Sequence, residues 1–217
     1  HVVLPGTRIQ AKVDIAKDGD SIFIMGGTYG ENVEVTKNLD IRRVKDQPVT
    51  ITGSFTLENL DKKFELANFK IGGDRSKDVI VKNCSDVFLA NLDLNDANGL
   101  SIEGSKVSAS GCEIGQDVRS NNSSLTLTRS TVNRNIDGHG ILRLVKTTVT
   151  GWVQHRGGNW TPVDTALPSE FIVYQSIIRE NIITKATESW IGYNELKWIS
   201  EIQNKGTIVG NTIDGRE

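Results

Sequence analysis

One eight-residue pattern returns seven times between residues 64 and 213, and it leaves few folds open. The segments are 64–71 (FELANFKI), 87–94 (VFLANLDL), 107–114 (VSASGCEI), 125–132 (LTLTRSTV), 142–149 (LRLVKTTV), 171–178 (FIVYQSII) and 206–213 (GTIVGNTI). The first, third and eighth positions are apolar throughout, with Gly206 the one exception. Each half alternates like a strand, and the phase breaks at Asn68, Asn91, Gly111, Arg129, Lys146, Gln175 or Gly210. Asn and Gly tolerate a left-handed backbone, so the Asn and Gly members read as one-residue bends between two short strands. The next residue is Phe69, Leu92, Cys112, Ser130, Thr147, Ser176 or Asn211. By phase it points inward, and the later members suit an internal hydrogen-bonded stack. Intervals between the closing apolar residues are 23, 20, 18, 17, 29 and 35. A strand-bearing repeat of this length is a solenoid coil, each coil adding about 4.8 Å along the axis.

Composition agrees. The chain has 217 residues, with 21 Gly and 17 Asn but 4 Pro, and this turn-forming surplus accompanies abundant Val and Ile. The net charge of -2 disfavours a nucleic-acid binder built on a basic surface. No apolar run reaches the roughly 18 residues of a transmembrane helix, so no membrane partner is expected. Cys84 and Cys112 are too few for a disulfide scaffold or a Cys-rich zinc site, and both are expected as free thiols.

Ahead of the repeats, residues 7–17 place apolar side chains at 9, 13, 15 and 16 behind Thr7. This predicts an amphipathic helix, capped by Thr7, that covers the open end of the first coil. Gly19-Asp20, the strand Ile22 to Ile24, Gly27-Thr28-Tyr29-Gly30-Glu31 and Asn38-Leu39-Asp40-Ile41 follow. Together with the helix they resemble the opening of right-handed parallel β-helix proteins of the pectate-lyase-like superfamily. The resemblance spans about residues 7–183 and 204–214. It implies an all-β, single-stranded right-handed parallel β-helix of about eight to ten coils with an N-terminal capping helix, filling residues 1–217 as one domain. Residues 150–170 and 179–205 read as loop insertions, and 188–203 carries apolar spacing compatible with a short helix. The superfamily mixes lyases, hydrolases, esterases and non-catalytic modules, so fold does not select activity.

The superfamily's complete catalytic sets are missing. Gly115-Gln116-Asp117 is a fragment of the methylesterase pattern. Asn135-Ile136-Asp137-Gly138-His139-Gly140 echoes two polygalacturonase elements, but in one run and without the paired Asp or the Arg-x-Lys. A uronate lyase remains as the catalytic candidate. Lyases on this fold use calcium to stabilise the substrate carboxylate while a nearby base removes the adjacent proton. Lys70, Asp93, Glu113, Thr131 and Thr148 fall in one outward column, with Asp93 and Glu113 about 5 Å apart on adjacent coils. Calcium would relieve that repulsion, with Asp96 and Asp117 completing the ligands. A solvated acidic stripe beside Lys70 is the plain alternative. Arg134, His139 and Arg143 are the candidate base or charge stabilisers. Trp152, His155, Arg156 and Trp160 are the candidate sugar contacts, although aromatic residues there equally suit packing against the coils.

Two expectations follow. One is a secreted or cell-surface protein that binds or cleaves an acidic polysaccharide, by calcium-assisted elimination if it is catalytic. The other is a non-catalytic β-helix for adhesion, assembly or receptor binding, with end-to-end or side-by-side homo-oligomers as its natural assemblies.

Overall fold

The computed structural model describes residues 1–73, 78–156, 170–184, 188–192, 194–202 and 206–213. Short strands pair in parallel with the strands of the next coil, and one helix lies at the N-terminal end. The described residues form nine coils, within 21–35, 40–58, 63–82, 86–103, 106–121, 124–138, 141–155, 170–184 and 188–202, and 206–213 begins a tenth. Each coil has three walls. In the fourth coil these are Asp86–Ala90 on face A, Asp93–Leu94 on face B and Gly99–Glu103 on face C.

The repeated apolar positions stack in register. Phe64, Val87, Val107, Leu125, Leu142 and Phe171 form one inward column of face A. Ile71, Leu94, Ile114, Val132, Val149, Ile178, Leu196 and Ile213 occupy the closing position of face B, paired in register from Leu94 onward. The core is therefore a continuous axial stack, and a one-residue slip would turn each strand's apolar side chains outward.

All seven phase-breaking residues have positive φ: Asn68 (64°), Asn91 (49°), Gly111 (65°), Arg129 (48°), Lys146 (51°), Gln175 (47°) and Gly210 (57°). The bend thus persists where the sequence offers Arg, Lys or Gln. Neighbouring coils impose it, at a cost on the order of 1 kcal/mol per non-Gly residue. Where the residue is Asn, the side chains ladder as well: Asn91 Nδ2 donates to Asn68 Oδ1 at 3.2 Å. The ladder stops at Gly111, where a Cβ would lie 2.5 Å from Asn91 Oδ1.

The inward residues after the bend form the expected hydrogen-bonded stack. The amide of Cys112 donates to Ser130 Oγ, Thr147 to Ser176 Oγ, Ser176 to Asn194 Oδ1 and Asn194 to Asn211 Oδ1, at 2.8 to 3.2 Å. Each bond links one coil to the next. A second ladder runs along another corner, from the amide of Cys84 to Ser105 Oγ and from the amide of Ser105 to Ser123 Oγ. Cys84 and Cys112 are buried free thiols, and burial raises both pKa values.

The cap differs from the expectation in its chemistry. The helix spans Ile9–Ile15, and no side chain of its N-cap residue, Arg8, caps it. Thr7 Oγ1 instead donates to Leu4 O. The helix amides are taken by Glu31, whose two oxygens accept from Ile9 N and Gln10 N at 2.6 and 3.1 Å. The Gly-x-Tyr-x-Glu element is thus structural here: Tyr29 Oη donates to Met25 O, and Glu31 anchors the cap to the first coil.

The C-terminal third also departs from expectation. Across 179–205, read as an insertion, Ile177–Thr184, Glu188–Gly192 and Glu195–Ile202 are strands, so strands replace the helix that the spacing of 188–203 allowed. The long interval from 178 to 213 is two ordinary coils closed through Leu196, of 18 and 17 residues. The hidden repeat was masked by Ser189, a buried hydroxyl where its counterparts are apolar, with Oγ 3.4 Å from Thr184 Oγ1. Of 150–170, residues 153–155 are strand, and 157–169, with Trp160, lie outside the described residues.

Candidate functional site

Strand alternation and register place the candidate residues on different walls. The outward column of face B holds Lys70, Asp93, Glu113, Thr131 and Thr148 as the repeat predicts. Its charge is balanced from within the chain. Lys70 Nζ lies 2.7 Å from Asp96 Oδ2 and 3.7 Å from Asp93 Oδ2, and the hydrogen bond to Asp96, then the Asp93 charge, raises its pKa. Asn95 Nδ2 donates to Glu113 Oε2 at 2.9 Å. The relief expected from calcium is therefore supplied by Lys70 and Asn95. Asp117 belongs to the next wall, and among the described residues no group of three or more His, Cys, Asp or Glu side chains converges to hold an ion.

Arg143 lies on face A, where Nε and Nη2 bind Glu170 at 3.1 and 2.5 Å. It is held apart from the other candidates. His155 is fully buried, because it alternates inward with Val153. Its Nε2 donates to Gly140 O at 2.7 Å and its ring lies 5.5 Å from Phe171. His155 is a core residue and cannot touch a polysaccharide outside the coil. Trp190, within the segment read as an insertion, stands on strand Glu188–Gly192 with its ring 5.5 Å from Tyr174.

Face C of the fifth to seventh coils brings the remaining candidates together. Register aligns Arg119, Asp137 and Gln154 in one outward column. Asp117, Asn135 and Trp152 flank it on one side, and His139 and Arg156 on the other. The first flank is a hydrogen-bond ladder. Asp117 Oδ1 accepts from Asn135 N and Nδ2 at 3.2 Å each, and Asn135 Oδ1 accepts from Trp152 N at 3.1 Å. This fixes the backbone of Trp152 one coil above Asn135. Close approach requires Gly151, where a Cβ would meet Asn135 Oδ1 at 2.2 Å. Arg119 binds Asp117 Oδ2 at 3.2 Å.

On the other flank, Arg156 Nη2 binds Asp137 Oδ2 at 2.7 Å. Asp137 Oδ1 is buried and has no hydrogen-bond partner among the described residues. His139 is half-buried. Burial lowers its pKa, with nearby Arg156 acting in the same sense and Asp137 against it.

At the corner between faces B and C, Asn133, Arg134, Asn135, Thr150, Gly151 and Trp152 line a shallow cleft of about 340 Å³. Arg134 is exposed, and its guanidinium makes no ion pair or hydrogen bond among the described residues. Asn133 Nδ2 donates to Asn95 Oδ1, which ties the cleft to the face B amides. The lining thus combines a free guanidinium, two primary amides, a hydroxyl and an indole.

Of the expected site residues, Asp117, Arg134, His139, Trp152 and Arg156 share this region. Asn133, Thr150 and Gln154 were not singled out in the sequence. The available signal was the spacing of 117, 135 and 152, which matches the coil interval.

Among the described residues no helix is long and apolar enough to cross a membrane. Comparison of the chain with protein-family models, with curated proteins and with solved structures returned no match.

Proposed function

We propose that face C of the fifth to seventh coils, with its cleft at the corner of faces B and C, binds an acidic polysaccharide and does not cleave it. The observation that carries this reading is Arg134, an exposed guanidinium without a partner among the described residues, in a cleft with Trp152 and the amides of Asn133 and Asn135. A guanidinium fork matches a uronate carboxylate, amides bond sugar hydroxyls, and an indole packs on the apolar face of a sugar ring. A solenoid adds the regular, rigid wall along which a repeating polymer can lie. The resemblance of the N-terminal element to the pectate-lyase-like superfamily supports a carbohydrate ligand. Such a polymer is met outside cells, which favours a secreted or cell-surface protein.

Binding is favoured over elimination because the groups for chemistry are dispersed or occupied. Arg143 is bound to Glu170, Arg156 to Asp137, and His155 lies in the core. Titration with polygalacturonate and with a neutral glucan tests the reading. Saturable binding of the uronate polymer alone is expected, weakened about tenfold or more by Arg134→Ala. Equal binding of both polymers, or an unaffected variant, would sink it. Growth of the ultraviolet absorbance of an unsaturated uronate would instead establish a lyase, with His139 as the base to test.

A further inference from the structure

Among the described residues the solenoid wall has one interruption. Strands Ser21–Ile24 and Asp40–Arg43 pair on face A, but Asp40–Arg43 is not hydrogen-bonded to Lys63–Ala67 of the third coil. Asp40 N and Val44 N donate back to the first coil, at Asp20 O and Ile24 O. Asn68 N donates forward to Ala90 O of the fourth. In a parallel sheet both peptide groups of a residue point to the same neighbour, and successive residues alternate. The peptide groups of Ile41 and Arg43 therefore face those of Glu65 and Ala67 across the gap without pairing. Asn38 spans it at one end, accepting from Lys62 N and donating to Asp61 Oδ1.

A cleft of about 410 Å³ opens over this gap, lined by Asp40, Ile41, Arg42, Arg43 and Lys45 on one lip and Glu65, Ala67 and Asn68 on the other. Three cations stand on the first lip. Arg42 pairs with Asp40 at 2.7 Å, and Arg43 Nη1 donates to Gln47 O at 3.1 Å. Lys45 and Glu65 are exposed, and their side chains make no ion pair or hydrogen bond among the described residues. The volume is that of a small-molecule site.

We infer that this interruption is a binding slot for a small hydroxylated carboxylate, a single sugar acid. The carboxylate pairs with Lys45 and the neighbouring guanidinium groups. The hydroxyls bridge the two lips, since a hydroxyl both donates and accepts and so serves unpaired N–H and C=O groups alike. The ring covers the side chain of Ala67, which is half-buried. The slot is on a different wall and three coils away from the face C cleft, and it does not depend on the reading of that cleft.

Three probes separate the contributions: D-galacturonate, D-galactose (hydroxyls without charge) and acetate (charge without hydroxyls). Calorimetric titration of the full chain should show saturable binding of galacturonate, with the other two at least about tenfold weaker. Lys45→Ala, at an exposed position, should weaken galacturonate binding about tenfold, whereas Arg134→Ala should leave it unchanged. Ala67→Leu fills the slot and should abolish binding while the circular dichroism spectrum is kept. Absent binding, equal binding of acetate, loss with Arg134→Ala, or retention with both Lys45→Ala and a folded Ala67→Leu would each overturn the assignment. The Lys45 variant decides alone if Ala67→Leu does not fold.

Discussion

The carboxylate of Glu31 accepts the amide hydrogen of Ile9 at 2.6 Å, so the cap helix is held by a residue of the coil that it covers. Glu31 is almost wholly buried, and Arg8 lies 3.5 Å from its second oxygen. Helix and first coil are therefore one unit, because neither satisfies its polar groups without the other.

Removing that carboxylate should loosen the N-terminal end. Glu31→Ala leaves two helix amides without an acceptor, at an expected cost of about 1–2 kcal/mol. Glu31→Gln should retain part of it. Urea denaturation reports the loss, and Thr7→Ala, at the position the sequence suggested as the cap, should not reproduce it.

The interior ladder predicts a similar cost far from any surface. Ser176 Oγ accepts from Thr147 N and donates to Tyr174 O, so Ser176→Ala orphans groups on two coils. About 1–3 kcal/mol of destabilisation is expected for the stranded amide. An unshifted urea midpoint would contradict a structural role for the ladder.

Stability should fall on mild acidification. His155 is buried, and desolvation lowers its pKa below the ordinary value of 6.5, chiefly against the carbonyl of Gly140, which raises it. His139 is shifted the same way. The unfolded chain then binds more protons than the folded one, so stability is full above about pH 6.5 and is lost as pH drops towards the folded pKa. Melting temperatures measured from pH 7.5 to 5 should decline, and His155→Gln should flatten the decline.

At the bends, backbone conformation outweighs side-chain identity. Lys146 has φ of 51°, a region that a β-branched residue enters only with strain. Lys146→Val should destabilise by about 1–2 kcal/mol, whereas Lys146→Asn should be neutral or slightly stabilising. Thermal melts of the pair separate this effect from the loss of an exposed charge.

The acidic column offers a test of charge balance. With Lys70 between Asp93 and Asp96, added calcium should not shift the melting temperature of the natural chain. Lys70→Ala removes the internal cation and should create a calcium-dependent rise. A rise in the natural chain would restore the metal reading for Asp93, Asp96 and Glu113.

The architecture was legible because it is written in stacked, repeated positions. The apolar triplet and the inward residue after each bend predict a hydrogen-bonded stack, and the structure has it from Cys112 to Ser130 and again from Thr147 to Asn211. Coil nine escaped because a buried Ser189 replaces an apolar signal. The site was less legible for a geometric reason. Asp117, Asn135 and Trp152 meet only because coil lengths bring them into one column, whereas His139 and His155, close in sequence, fall on opposite sides of the wall. Burial separates the two histidines, and no spacing argument distinguishes them until the inward phase of Val153 and His155 is fixed. The charge on Arg143 was visible, but its partner Glu170 is 27 residues away across an irregular interval.

The inward residues at one corner change in kind along the axis, from Phe69 and Leu92 through Cys112 to Ser130, Thr147, Ser176, Asn194 and Asn211. The rod consequently has a thermodynamic polarity. Its early turns rest on solvent release, which weakens on cooling and tolerates small misalignments. Its later turns rest on directional contacts that form only once the adjoining turn is in place. Hydrogen exchange on cooling should therefore rise first near the aromatic and aliphatic end, and growth from that end is the cheaper direction of assembly.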